Sequence, residues 1–136
     1  MLYEFEVPGK IRGKGRPRVN SYTGMIYTPT TTKDYECLVE QYFLLKYPKF
    51  RVLENRIEVN IIAYFPIPKN TKKSDIEDML NQQISPTKKP DIDNIVKIIL
   101  DAMNKFAFKD DNQITKLCIE KRYGVEEKVE IKINEY

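Results

Sequence analysis

Carboxylates gather between Lys89 and Asp111 in a pattern suited to chemistry: Lys89-Pro90-Asp91-Ile92-Asp93-Asn94, then Lys97, Asp101, Asn104 and the pair Asp110-Asp111. Pro90 disfavours helix at Lys89, so Asp91 falls where a helix N-cap belongs. From there Asp93, Lys97, Asp101 and Asn104 are spaced by four, four and three, which places them in one polar stripe along a helix. The other positions (Ile95, Val96, Ile98, Ile99, Ala102, Met103, Phe106) are mostly apolar, so the helix is expected to be largely buried and its stripe to line a cleft. Only Lys97, Lys105 and Lys109 stand near these acids in the chain, and clustered carboxylates repel one another unless something neutralises them. A divalent cation does so, and oxygen ligands without His or Cys favour Mg²⁺ or Mn²⁺. A plainer reading makes Asp91 a cap, Asp93 and Lys97 an exposed pair worth about 0.3–0.5 kcal/mol, and Asp110-Asp111 a turn.

The absences narrow the chemistry. The chain has no histidine, which excludes Ser-His-Asp and Cys-His triads and any imidazole base or ligand. Cys37 and Cys118 are too few for a structural zinc site and are expected to pack as small reduced side chains. Catalysis must therefore run on carboxylates, lysines, hydroxyls or a hard metal. With 136 residues, a single domain spanning 1–136 is expected. No apolar run reaches the ~20 residues of a membrane span, and Met1-Leu2-Tyr3-Glu4-Phe5 lacks the features of a signal peptide, so the default location is cytoplasmic.

The net charge of +3 says little, but its distribution says more. From Gly9 to Ser21 the chain carries Lys10, Arg12, Lys14, Arg16 and Arg18 and no acid, together with Gly9, Gly13 and Gly15. Such a loop can bring backbone amides and cations to phosphate oxygens, although a solvated turn is the simpler alternative. A second basic group comprises Lys69, Lys72, Lys73, Lys88 and Lys89, and Ser74-Asp75-Ile76-Glu77 between them has the form of a capping box opening a short helix through Gln83.

These residues must be positioned by the rest of the chain. Tyr3, Phe5 and Val7 alternate with Glu4 and Glu6 as a half-buried strand. A short extended piece is expected up to Tyr27, then a helix capped within Thr30–Thr32 and running to about Lys46, with Tyr35, Leu38, Val39, Tyr42 and Leu45 at helical spacing. Arg56–Phe65 is the clearest strand, and its partly apolar second face suggests a central place in the sheet. The polar-striped helix should run from Ile92 to Lys105, followed by strands at Ile114–Tyr123 and Lys128–Asn134. The fold class expected is α+β, a small mixed sheet packed with helices.

At these residues the chain resembles the RusA-type Holliday-junction resolvases, or crossover junction endodeoxyribonucleases, common in phages and prophages. The pattern K-P-D-x-D-N-L/I-x-K-x-x-x-D-A-x-N stands here as Lys89 through Asn104, followed by Asp110-Asp111 and Ile114. The opening is also similar: a first strand, then Lys14-Gly15-Arg16-Pro17-Arg18, then Tyr27-Thr28-Pro29. The resemblance implies motif aspartates at Asp91 and Asp93, a third catalytic carboxylate at Asp111 and the essential lysine at Lys97. Of the Asp110-Asp111 pair the resemblance selects Asp111, and it gives Asp101 a structural or supporting place. It implies a homodimer with one site per subunit acting in DNA recombination and repair, and products with 5′-phosphate ends.

The mechanism expected is Mg²⁺-dependent phosphodiester hydrolysis (Mn²⁺ substituting), with Asp91, Asp93 and Asp111 as metal ligands and Lys97 countering charge on the phosphate. Branched DNA, a four-way junction, would be held by Lys10, Arg12, Lys14, Arg16, Arg18, Lys72, Lys73, Lys88 and Lys89, with affinity falling steeply with salt. Three alternatives stay open: a less selective nuclease on branched or duplex DNA, a non-catalytic junction-binding dimer, and a structural protein with an incidental acidic turn.

Overall fold

In the computed structural model, which describes Met1–Tyr136 throughout, the alternating apolar runs form one four-stranded sheet. Its strands are β1 (Leu2–Pro8), β4 (Ile57–Pro66), β5 (Ile114–Gly124) and β6 (Lys128–Glu135), in the order β1-β6-β4-β5. β6 runs antiparallel to both β1 and β4, and β4 runs parallel to β5, so the sheet is mixed. The central place expected for the Arg56–Phe65 run is borne out, because β4 has hydrogen-bonded neighbours on both sides. Two further short strands, β2 (Arg18–Val19) and β3 (Ile26–Tyr27), pair with each other and stay apart from the main sheet.

One sheet face is dry. Tyr3, Phe5 and Val7 of β1, Ile57, Val59, Ile61, Ala63 and Phe65 of β4, and Val129, Ile131 and Ile133 of β6 are buried. Against them pack α1 (Thr30–Lys46) and α3 (Ile92–Met103), whose own buried residues (Tyr35, Val39 and Phe43; Ile95, Ile98, Ile99, Ala102 and Met103) join the same core. Burying each of these isoleucines is worth about 1.5–3 kcal/mol, so helix position is set by the core rather than by the polar stripe. Phe43 is the hub, with ring centroids at 5.2 Å from Tyr3, 5.4 Å from Phe5, 5.2 Å from Phe50 and 5.8 Å from Phe106. These edge-on contacts tie β1, α1 and the segment after α3 together.

The helix ends depart from expectation in informative ways. α1 begins at Thr30 with Pro29 as its N-cap and no side-chain cap; the Thr32 hydroxyl accepts a hydrogen bond from the Gly15 N–H instead. α2 (Lys73–Leu80) is capped by the extended backbone of Lys72, which leaves Ser74 inside the helix and its capping box unformed. α3 stops at Met103 because Lys105 takes a left-handed conformation, φ 62°. Cys37 and Cys118, expected to pack inside, are both free and exposed: each falls on the outward side of its element. No helix is long and apolar enough to cross a membrane.

Candidate active site and nucleic-acid cleft

The basic loop between β1 and β2 is fastened by its backbone. Gly9 N–H donates to the Glu127 carbonyl (3.1 Å), Ile11 N–H to Glu127 Oε1 (3.0 Å), Lys14 N–H to the Asn94 carbonyl (2.9 Å) and Gly15 N–H to Thr32 Oγ1 (3.0 Å). Two glycines are needed for this fit. A Cβ on Gly13 would lie 2.9 Å from Pro90 Cβ and 3.0 Å from Asn94 Cβ, and one on Gly15 would lie 2.7 Å from Thr32 Oγ1. The loop therefore lies directly on the start of α3 and the first turn of α1.

Between these elements opens a cleft of about 660 Å³. Lys10, Arg12, Lys14, Arg16, Arg18 and Lys89 line it, with Asp91 and Asn94 as its acidic and amide members. Lys10, Arg12, Arg16, Arg18 and Lys89 form no ion pair within the chain (the salt bridges lie elsewhere). Their charge is available to an anionic ligand, and the shape and sign suit a phosphate backbone. Lys72, Lys73 and Lys88, expected to join this group, do not line the cleft. Lys72 and Lys73 begin α2, and Lys88 turns its ammonium over the Phe65 ring, 5.9 Å from the centroid.

Asp91 occupies the N-cap position of α3, as its place after Pro90 predicts, yet its side chain makes no capping hydrogen bond. Its carboxylate is left for the cleft. The segment leading into it is held from β5, where the Lys121 ammonium donates to the carbonyls of Lys88 (2.5 Å) and Pro90 (3.1 Å) and lies 5.0 Å from the Phe65 ring centroid. Sequence reasoning missed Lys121; only the parallel register that sets Lys121 opposite Ala63 shows what it faces.

The polar stripe of α3 follows its expected periodicity but not its expected surroundings. Asp93 and Lys97 are exposed, and only Asp101 and Asn104 are half-buried. Asp101 accepts from Lys97 through Oδ1 at 2.9 Å and pairs with Lys14 through Oδ2 at 3.0 Å, while Lys14 also donates to Glu36 at 2.6 Å. Burial by itself would raise the Asp101 carboxyl, but hydrogen bonds from Lys97 and Lys14 outweigh it and hold the group below its ordinary value. Lys14 is the mirror case. Burial acts to lower it, and Glu36 and Asp101 carry it above the usual lysine range.

Asp111 returns to the far end of the same helix, its N–H donating to Asn104 Oδ1 at 3.1 Å. Asp110 is spent on structure: its Oδ1 accepts from Asn112 N–H at 3.3 Å, and its own N–H donates to Gln113 Oε1 at 2.8 Å, closing a capping box around the 3₁₀ turn Asp111–Gln113. The two adjacent carboxyls compete for one proton, which raises Asp111 above the ordinary range and lowers Asp110. Asp111 also feels the charges of Lys97 and Asp101. Of the pair, Asp111 is the member with a carboxylate free of capping duty.

The donor chemistry suits a hard divalent cation, since every candidate ligand is a carboxylate oxygen. The arrangement is open: nowhere do three acidic or cysteine side chains converge on one point. Asp91 opens the helix at the cleft, Asp93 stands in its first turn, and Asp111 lies by Asn104. Standing a helix length apart, Asp91 and Asp111 do not meet at one ion as placed here, so an ion at either end of α3 would have one or two of these carboxylates and otherwise water and phosphate oxygens, a set that Mg²⁺ accepts.

A cationic cleft ending at an acid-bearing helix suits an anionic ligand such as a nucleic-acid backbone, and comparison with known proteins places the chain in a family. The uncharacterized protein YqaN of Bacillus subtilis (strain 168) is 33% identical over 140 residues, covering 97% of this chain and 95% of that protein. The family model described as endodeoxyribonuclease RusA matches residues 8–134, from the end of β1 through β6, so that the basic loop, α3 and the Asp110-Asp111 turn all fall within it. The resemblance carried by the aspartate motif is thus borne out, and the chain belongs to the RusA endodeoxyribonuclease family.

Proposed function

We propose that this protein is a Mg²⁺-dependent endonuclease that resolves four-way DNA junctions by paired symmetric nicks, acting as a homodimer in the cytoplasm during recombination and repair. The observation that carries the reading is the cleft lined by Lys10, Arg12, Arg16, Arg18 and Lys89, which ends at Asp91 on the first turn of α3. The basic side chains bind the DNA backbone and orient one phosphodiester over α3. Asp91 and Asp93 at one end of α3 and Asp111 at the other are the residues that would hold Mg²⁺ or Mn²⁺, and sharing a single ion would require them to be drawn closer than they stand here. When bound, the ion supplies positive charge at the phosphate and lowers the pKa of the attacking water. Lys97, one turn beyond Asp93, places its ammonium where charge grows on the phosphate and stabilises it. Hydrolysis leaves 5′-phosphate and 3′-hydroxyl ends. A four-way junction has near two-fold symmetry, which two identical sites on a dimer match.

The test is cleavage of a synthetic four-way junction in Mg²⁺ and in Mn²⁺ with excess unlabelled duplex, native protein beside Asp93→Asn. Paired nicks that a ligase reseals, reduced on the order of 10³-fold in the variant, are expected. Asp93→Asn also removes a negative charge facing the DNA, so its junction binding without metal should be kept or strengthened. Weakened binding with retained cutting would overturn the assignment of Asp93. Cutting of the competitor duplex at equal rates would leave a less selective nuclease, and binding without nicks in either metal would leave a junction-binding protein.

A further inference from the structure

Lys14 differs from every other cation of the basic loop. It alone is engaged in ion pairs, with Glu36 Oε1 at 2.6 Å and Asp101 Oδ2 at 3.0 Å. Its side chain is 23% exposed, whereas Lys97, bound to the other oxygen of Asp101 at 2.9 Å, is 59% exposed. Glu36, Lys14, Asp101 and Lys97 thus form a row of alternating charge running from α1 across the loop to the outer face of α3. The row is balanced, two anions against two cations. Pulling Lys14 away to meet a phosphate would leave the half-buried Glu36 carboxylate unpaired and Asp101 with Lys97 alone.

A lone lysine on an exposed helix face samples many rotamers, and holding it in one costs up to about 2 kcal/mol of side-chain entropy. Asp101 restrains Lys97 only while Asp101 itself is fixed. Lys14 fixes it by occupying Oδ2, which leaves Oδ1 as the single acceptor for Lys97. Glu36 in turn fixes Lys14, and the loop backbone is locked at the same residue by the bond from Lys14 N–H to the Asn94 carbonyl.

We propose that Glu36, Lys14 and Asp101 are positioning residues that hold the Lys97 ammonium in place for the reacting phosphate, and that Lys14 works inside the protein rather than on the DNA backbone. The proposal rests on Lys97 being the cation that stabilises that phosphate. Neither Glu36 nor the Lys14–Asp101 contact is visible as a local pattern, since the partners come from three separate elements.

The experiment compares Lys14→Met, Glu36→Gln and Arg12→Ala with the native protein in three measurements. These are single-turnover cleavage at saturating junction in Mg²⁺, junction affinity across a salt series without metal, and the ¹⁵N-detected ammonium signal of Lys97. Lys14→Met should lower the saturated cleavage rate by about 10–100-fold with affinity and salt slope unchanged, and the slowly exchanging Lys97 signal should be lost. Glu36→Gln should move the same two readouts in the same direction by less. Arg12→Ala should instead weaken binding and reduce the salt slope by about 0.9, the signature of one lost phosphate contact. A Lys14→Met protein with a reduced salt slope and an intact Lys97 signal would overturn the proposal and return Lys14 to the DNA-contacting group. If Lys14→Met does not fold, Glu36→Gln, which keeps shape and hydrogen-bonding length, decides in its place. The Lys97 signal needs no DNA, so it judges the positioning row even if the native protein proves not to cut junctions, a result that would count against the proposed function alone.

Discussion

Two basic segments of this chain look alike in sequence and serve differently in the fold. Lys10–Arg18 is hung on the body by backbone bonds to Glu127, Asn94 and Thr32, and it turns Lys10, Arg12, Arg16 and Arg18 into one cleft. The segment from Lys69 to Lys89 forms a helix whose opening lysines lie away from that cleft, and it contributes only Lys89 to the lining. Each segment carries five cations, but the second spreads them over 21 residues with three acids among them, and attachment differs as well. A cation takes part in binding when the backbone under it is fixed beside the ligand, and glycine at the contact is what permits such close fixing.

The comparison can be broken at its strongest point first. Replacing Arg12 and Arg16 together by alanine should reduce the slope of log affinity against log salt by about 1.8, and most of the affinity loss should appear at low salt. Fluorescence titration of a labelled junction across a salt series measures it. Gly13→Ala should act on attachment instead of charge. With Pro90 and Asn94 already within 3.0 Å of the new Cβ, the loop must lift from α3, costing about 1–3 kcal/mol in urea unfolding and lowering affinity with every cation still present. The paired change Lys72→Ala and Lys73→Ala should have a smaller effect on the salt slope, less than about 0.5 for the two combined, because neither lysine faces the cleft. A slope change as large as that of the arginine pair would mean that DNA extends across α2 and that the two segments are equivalent after all.

The smallest expected effect is on pH dependence. Asp101 is held below its ordinary value of 3.8, so its contribution to stability is present above that pH and is lost as pH falls through the lower folded value. Lys14 is held above 10.5, so its contribution is present below that pH and is lost as pH rises through the higher folded value. The stability difference between native protein and Lys14→Met should therefore be flat between about pH 4 and pH 10 and shrink at both ends. Its size should be under about 1 kcal/mol, because both side chains remain partly solvated. Urea midpoints taken across the pH range measure it.

What could be read beforehand was periodic or motif-bearing. β1, β4 and α3 announce themselves by alternation and helical spacing, and Asp91 at the N-cap follows from Pro90 alone. What failed was local chemistry overruled at a distance. Ser74 has the neighbours of a cap, but the extended backbone of Lys72 starts the helix earlier. The Thr32 hydroxyl is taken by the loop, so α1 starts without it. The stripe on α3 was legible as a stripe, while its exposure was not. Burial depends on which distant residues pack there: Asp101 meets Lys14 and Asn104 meets Asp111, whereas Asp93 and Lys97 stay exposed. Glu36 and Lys121 were missed for a related reason: a single charged residue in a regular element says nothing about which distant carbonyl or ammonium it will meet. The expected shortage of cations near the acids was wrong in one respect, since Lys14 reaches Asp101 from the far end of the chain.

The pairing of β1 with β6 has a consequence for how the molecule is made. Leu2 lies opposite Asn134 and Pro8 opposite Lys128, so β1 finds its partner only when a strand more than a hundred residues later in the sequence has been made. At ~5–20 residues per second, β1 waits on the order of ten seconds on the ribosome without a neighbour. Its basic loop waits too, since both Glu127 bonds that anchor the start of the loop come from the turn just before β6. Until that turn is made the start of the loop is unfastened, while Lys14 and Gly15 already have their partners in Asn94 and Thr32. A chain cut after Gly124 is expected to leave the Gly9 and Ile11 amides unprotected from hydrogen exchange. Fastening of the loop's start is thus coupled to the pairing of the two strands of the sheet that lie farthest apart in the sequence.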